Sequence, residues 1–157
     1  MEIEVKEMPE YRVAAAPHTG PYTGIGGAFE KLFGWAGPNG FIGPFSTMLG
    51  VYYDDPKTTD ADDLKSAACL TIADRIALPE GIDRRTIAGG RYAVGRATVY
   101  NNEFSKAWDE MGAWLESNGE WCPSGAPCYE IYRNNAMVDP ERKWIVDICI
   151  PVKESNA

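Results

Sequence analysis

Two stretches of the chain carry apolar residues at helical spacing. Ile25, Ala28, Phe29, Leu32, Trp35 and Ala36 form one stripe, and Phe104, Ala107, Trp108, Met111, Trp114 and Leu115 form a second. Each stripe ends near an Asn-Gly pair, Asn39-Gly40 and Asn118-Gly119, where glycine accepts the positive φ of a helix C-terminus. Asn101-Asn102 supplies candidate N-caps for the second helix. The remaining apolar segments are short, rich in Val, Ile, Tyr and Thr, and bounded by Gly, Pro, Asn or Asp, which is the pattern of strands. EIEVKE, YRVAAAP, MLGVYYD and AACLTIAD lie in the first half, and RRTIAGG, RYAVGRATV, PCYEIYR and KWIVDICIPV in the second.

The two halves repeat one pattern. Trp35 precedes Asn39-Gly40 as Trp114 precedes Asn118-Gly119, and a tyrosine follows each tryptophan by eighteen residues, Tyr53 and Tyr132. GPY (20–22) and GRY (90–92) open the two copies. The pattern predicts an α+β fold: a mostly antiparallel sheet of about eight strands with two helices on one face and a ligand groove between the helices. We read residues 1–157 as a single domain, with repeat one over about 2–75, repeat two over about 82–153, and IALPEGID (76–83) as the link.

A chain of 157 residues is one domain's length and buries roughly two thirds of its unfolded surface without disulfides or metals. No apolar run reaches membrane-span length and the acidic start MEIEVKEMPE is unlike an export signal, so the expected location is the cytoplasm. Cys69, Cys122, Cys128 and Cys149 form no C-x-x-C pair and read as reduced thiols. His18 is the only histidine, which argues against His-rich metal sites and His-based relays; it reads as a satisfied residue at a strand end. With 15 basic residues against 23 acidic ones and a net charge of −8, direct nucleic-acid binding and binding to acidic lipid are disfavoured, whereas a cationic ligand is favoured. DDPKTTDADDL (54–64) lacks the glycine and terminal glutamate of a calcium loop and reads as a solvated turn. GIGGAF (24–29) lacks the context of a phosphate loop. No cofactor or metal is expected.

The chemistry concentrates in PCYEIYRNN (127–135). Strand alternation puts Cys128, Glu130 and Tyr132 on one face, and Val51 and Tyr53 match Glu130 and Tyr132 if the repeat register holds. If that face lies under the helix, Glu130 is a buried carboxylate beside tyrosine hydroxyls, and such a group needs partners or a cationic ligand. If the other face is covered, Glu130 is a solvated residue. Asp147 shares a face with Ile145 and Cys149, opposite the more apolar set, and reads as exposed or at a rim.

GPY, FEKLFGW, VYYDDP, GGRYAVGR, WLESNG, PCYEIYRNN and DICIPV, in this order from about residue 2 to 153, resemble the GyrI-like small-molecule-binding domain. That family includes the DNA gyrase inhibitory protein and the effector-binding domain of AraC-type and MerR-type multidrug regulators. The resemblance implies a duplicated strand-helix-strand-strand unit with a groove whose central glutamate, in a P-x-x-E-x-Y setting, contacts cationic or aromatic ligands. PCYEIY carries that pattern, so Glu130 takes the role, and Tyr132, Tyr53, Trp114, Trp144 and Trp35 are aromatic candidates by position. The implied function is that of a stand-alone binder of apolar cationic or aromatic compounds, acting in xenobiotic or toxin protection, with enzymatic activity left open and no catalytic residue assigned. The resemblance leaves two alternatives open: a protein-interaction inhibitor of DNA gyrase, and a hydrolase of cyclopropanoid DNA-alkylating compounds.

Overall fold

The computed structural model describes residues 1–156. Along the chain the elements are β1 (Ile3–Met8), β2 (Tyr11–Thr19), α1 (Gly26–Ala36), β3 (Met48–Tyr52), β4 (Lys65–Thr71), β5 (Asp83–Ile87), β6 (Gly90–Val99), α2 (Phe104–Ser117), β7 (Trp121–Pro123), β8 (Cys128–Tyr132) and β9 (Trp144–Glu154). Nine strands and two α-helices among the described residues make this an α+β fold. The ninth strand, β7, is three residues long, too short for alternation to reveal, and is defined by its pairing with the end of β9.

The chain divides into two compact units, residues 9–88 and residues 1–8 together with 89 onward. In the first unit the strand order is β5-β2-β4-β3, with antiparallel ladders throughout. In the second it is β1-β6-β9-β8, again antiparallel, with β7 added to the end of β9. The edge strands therefore cross the sequence halves. EIEVKE, in the first half of the sequence, pairs with β6, and the strand of RRTIAGG, in the second half, pairs with β2.

Each helix covers one face of its own sheet. The α1 stripe buries Ala28, Leu32 and Ala36 against Ala14, Ala16, Ala68 and Leu70, and the small strand residues let the helix approach closely. The α2 stripe buries Ala107 and Met111 against Ala93, Val146, Ile148 and Ile150. Gly95 lies beneath Met111, where a Cβ would sit 2.5 Å from its sulfur and force that side chain to shift. Both Asn-Gly pairs end their helices as expected: Gly40 and Gly119 each have φ of +74°. Asn39 and Asn118 donate to helix-end carbonyls, Trp35 O and Leu115 O, each at 2.7 Å. The start of α2 differs from expectation. Its N-cap is Glu103, with no side-chain cap bond, and Asn101 and Asn102 instead take left-handed φ of 54° and 58°, a conformation asparagine tolerates better than most residues.

The second face of β8 and β9 is also buried, with Tyr129, Ile131 and Cys149 on it. This corrects the placement of Asp147. Alternation assigned it to a solvated or rim face, but it is 3% exposed, because the face it shares with Cys149 is covered as well. All four cysteines are free thiols. No helix is long and apolar enough to cross a membrane among the described residues.

Candidate functional site

The ladder between β8 and β9 sets the face of Glu130. Glu130 is opposite Ile148 and Tyr132 opposite Val146, and both β9 residues belong to the core under α2. Glu130 is therefore on the helix-covered face, 2% exposed. Two donors converge on its carboxylate. Trp108, from α2, donates through Nε1 to Oε2 at 2.6 Å, and the Tyr132 hydroxyl donates to Oε1 at 2.7 Å. An ionised Glu130 makes both of these charge-assisted hydrogen bonds.

The carboxylate is walled by rings. Tyr132 packs edge-on against Phe104 with centroids 6.5 Å apart and against Trp144 at 5.5 Å. Trp144 in turn donates through Nε1 to Asn102 Oδ1 at 3.3 Å. A single negative charge beside several aromatic faces suits a large, weakly hydrated cation: the carboxylate supplies the counter-charge, and the ring quadrupoles attract positive charge without demanding directed hydrogen bonds. Recesses of about 480 Å³ beside Phe41 and Phe45 and about 450 Å³ beside Tyr100 and Lys106 lie elsewhere and border neither Glu130 nor Tyr132. In this conformation the carboxylate is covered.

Among the sequence-predicted residues, the structure brings Glu130, Tyr132 and Trp144 together. Trp114 packs on the same α2-side core but nearly two helical turns beyond Trp108. Trp35 lies at the end of α1 in the first unit, where its ring packs on Phe41 at 5.1 Å. Tyr53 is corrected in its facing. Met48, Gly50 and Tyr52 pair with Leu70, Ala68 and Ser66, the α1 side of β4, so Tyr53 follows the opposite face. Its hydroxyl accepts a 2.9 Å bond from Arg85, whose guanidinium lies 5.4 Å from the Tyr53 ring centroid. Burial raises the Tyr53 pKa against the lowering effect of that hydrogen bond. The counterparts of Glu130 and Tyr132 in the first unit are therefore Gly50 and Tyr52, and Tyr52 packs against Tyr22 at 4.8 Å.

Two site residues were read from the sequence only as core: Trp108 and Phe104. The usable signal was their four-residue spacing on the helix stripe, combined with the indole N–H, which needs an acceptor when it faces inward. His18 lies near the end of β2 with Nε2 2.9 Å from Pro21 O. No group of three or more His, Cys, Asp or Glu is arranged to hold a metal among the described residues.

Comparison with known proteins places the fold in a family. The model of the GyrI-like small molecule binding domain matches residues 1–153. A DNA gyrase inhibitor of Salmonella typhimurium is 30% identical over 157 residues, covering 98% of this chain and 99% of the relative. Among solved structures, the EcmrR C-terminal domain superposes with a TM-score of 0.70 at 17% identity, covering 97% of both chains. SAV2435 bound to tetraphenylphosphonium superposes with a TM-score of 0.64 at 18% identity, covering 98% of this chain and 94% of that one. Matched by its family model over nearly all of its length, and by a full-length relative at 30% identity, the chain belongs to the GyrI-like small-molecule-binding domain family.

Proposed function

We propose that this protein binds apolar cationic or aromatic small molecules, with Glu130 as counter-charge and Tyr132, Trp144, Trp108 and Phe104 as the aromatic wall, and that it sequesters such compounds in the cytoplasm. One observation carries the reading: a carboxylate is buried among rings on the helix-covered face of β8, held by an indole N–H and a tyrosine hydroxyl. Burying a charge costs several kcal/mol, and a cationic ligand gives that cost a use. The family membership and the tetraphenylphosphonium complex of a structural neighbour support the same ligand class. Tetraphenylphosphonium titrated into the protein and followed by tryptophan fluorescence is the direct test. Saturable quenching that is weakened in Glu130→Gln is expected; equal binding by both proteins, or none by either, overturns the assignment.

A second reading rests on the relative's name. The DNA gyrase inhibitor of Salmonella typhimurium aligns with nearly the whole chain, so gyrase is a candidate protein partner. Added to a purified gyrase supercoiling reaction, the protein gives dose-dependent inhibition on this reading, and unchanged supercoiling at excess protein rejects it.

A further inference from the structure

On the face of the second unit's sheet away from α2, one buried carboxylate organises two arginines. Asp147 is 3% exposed. Its Oδ1 accepts from Arg96 Nε at 2.7 Å, and its Oδ2 accepts from both Arg96 Nη2 at 3.0 Å and Arg133 Nε at 2.7 Å. The two guanidiniums thus share one oxygen and stand side by side, two positive charges against one negative. The arginine side chains are not buried with their partner: Arg96 is 61% exposed and Arg133 40%. Among the described residues neither makes another ion pair, and Arg96 Nη1 and both Nη atoms of Arg133 have no hydrogen-bond partner.

We infer that Arg96 and Arg133 form a preorganised oxyanion site that takes a carboxylate or phosphate group. Two like charges held together by one carboxylate repel each other, and a second anion on the solvent side relieves that repulsion. Guanidinium donors fixed by an inner carboxylate lose little side-chain entropy when they close on such a group, and their planar fork matches its oxygens. Asp147 is the positioning residue, holding both forks from below. Access is open from solvent, where the Arg96 and Arg133 side chains stand exposed. The chain's net charge of −8 opposes anions at long range, so recognition here is local and short-ranged.

The test is a titration of ¹⁵N-labelled protein with inorganic phosphate and, separately, with acetate, each against sodium chloride at matched ionic strength. Saturating shifts of the Arg96 and Arg133 Nε–H resonances are expected, absent with chloride. Phosphate as the tighter ligand marks a phosphate site and acetate a carboxylate site. Arg133→Gln should weaken binding on the order of tenfold, the loss of charge-assisted hydrogen bonds, while backbone amide shifts elsewhere stay in place. Arg96→Lys and Arg133→Lys retain the charge that holds Asp147 and lose the fork, so they serve if the Gln variant fails to fold. Shifts that follow ionic strength alone, or equal affinity in every variant, would show that the two arginines only neutralise Asp147.

Discussion

Replacing Glu130 by Gln keeps the side-chain shape and removes the charge, which separates what the carboxylate does for the fold from what it does for a ligand. In the wild type, Trp108 donates to one oxygen at 2.6 Å and Tyr132 to the other at 2.7 Å. An indole N–H can only donate, so the Gln oxygen must face Trp108. The amide NH₂ then faces Tyr132, whose hydroxyl can turn from donor to acceptor. Both contacts survive as neutral bonds. The variant loses charge assistance, about 1 kcal/mol for each bond. It gains relief from a desolvation penalty of several kcal/mol on a carboxylate that is 2% exposed. Glu130→Gln is therefore expected to be more stable than the wild type by about 1–2 kcal/mol, a rise in Tm of about 2–8 °C for a domain of this size. For binding the sign reverses. A monovalent cation about 5 Å from the carboxylate at an effective permittivity of about 20 gains about 3 kcal/mol, so affinity for tetraphenylphosphonium should fall on the order of 100-fold. Urea unfolding and ligand titration at pH 7 measure the two effects on the same samples. If Glu130→Gln is less stable than the wild type by more than about 1 kcal/mol, the reasoning fails: the carboxylate is then a structural anchor rather than a charge held ready for a ligand. Glu130→Ala is a different experiment, because it leaves the Trp108 and Tyr132 donors without this acceptor, and it should destabilise by about 2–4 kcal/mol.

Three further outcomes follow from the packing and the titrating groups. Burial pushes the Asp147 pKa up, but hydrogen bonds from Arg96 and Arg133 outweigh it and leave the group lowered. Its contribution is thus complete above the unfolded carboxyl pKa of about 3.9 and is lost as pH falls through the lower folded value. Asp147→Asn should cost about 1–2 kcal/mol at pH 7, a figure reduced by the exposure of the arginines; urea unfolding as a function of pH should show the gap to wild type closing below about pH 4. Gly95→Ala places a Cβ 2.5 Å from the Met111 sulfur and 2.8 Å from that of Met1, and a loss of about 1–3 kcal/mol is expected in the same assay. Burial pushes the thiols of Cys69 and Cys149 up to about 12, so under native conditions at pH 8 a thiol reagent should modify the part-exposed Cys122 and Cys128 and spare the other two until urea is added.

How much of this was legible in the sequence depends on which periodicity carried the information. The helices were readable because a stripe of six apolar residues is redundant: one ambiguous position does not move the face. Strand facing has no such redundancy. In β8 the alternation put Glu130 and Tyr132 on one face but left open which face was covered, and only the pairing of Glu130 with Ile148 decides it. In the first unit the same argument failed by one residue. The repeat was aligned through Trp35 and Trp114 and carried forward to Tyr53 and Tyr132, but the second unit has one more residue between its Asn-Gly stop and β8 than the first has between its stop and β3. A helix tolerates such an offset, whereas a strand of period two turns every side chain to the other face, which moves Tyr53 away from α1 and puts Tyr52 in its place. Asp147 was misplaced for a related reason: alternation shows which residues share a face, not how many faces are buried.

The corrected register also clarifies what the duplication supplies. Where the second unit has Glu130, the first has Gly50; where α2 has Trp108, the corresponding residue of α1 is Phe29. The buried acceptor and its indole donor are therefore missing together from the first unit, while the tyrosine at the end of the strand is kept in both, as Tyr52 and Tyr132. A donor whose only use were packing would have no reason to vary with the carboxylate, since phenylalanine fills a helix stripe at no polar cost. The paired substitution is what is expected if Trp108 is there because Glu130 is there, and if the frame of helix on sheet is common to both units while the charge belongs to one. On the proposed reading, a cation would be recognised once per chain, by the second unit, and the first unit would offer a ligand aromatic surface without the matching carboxylate.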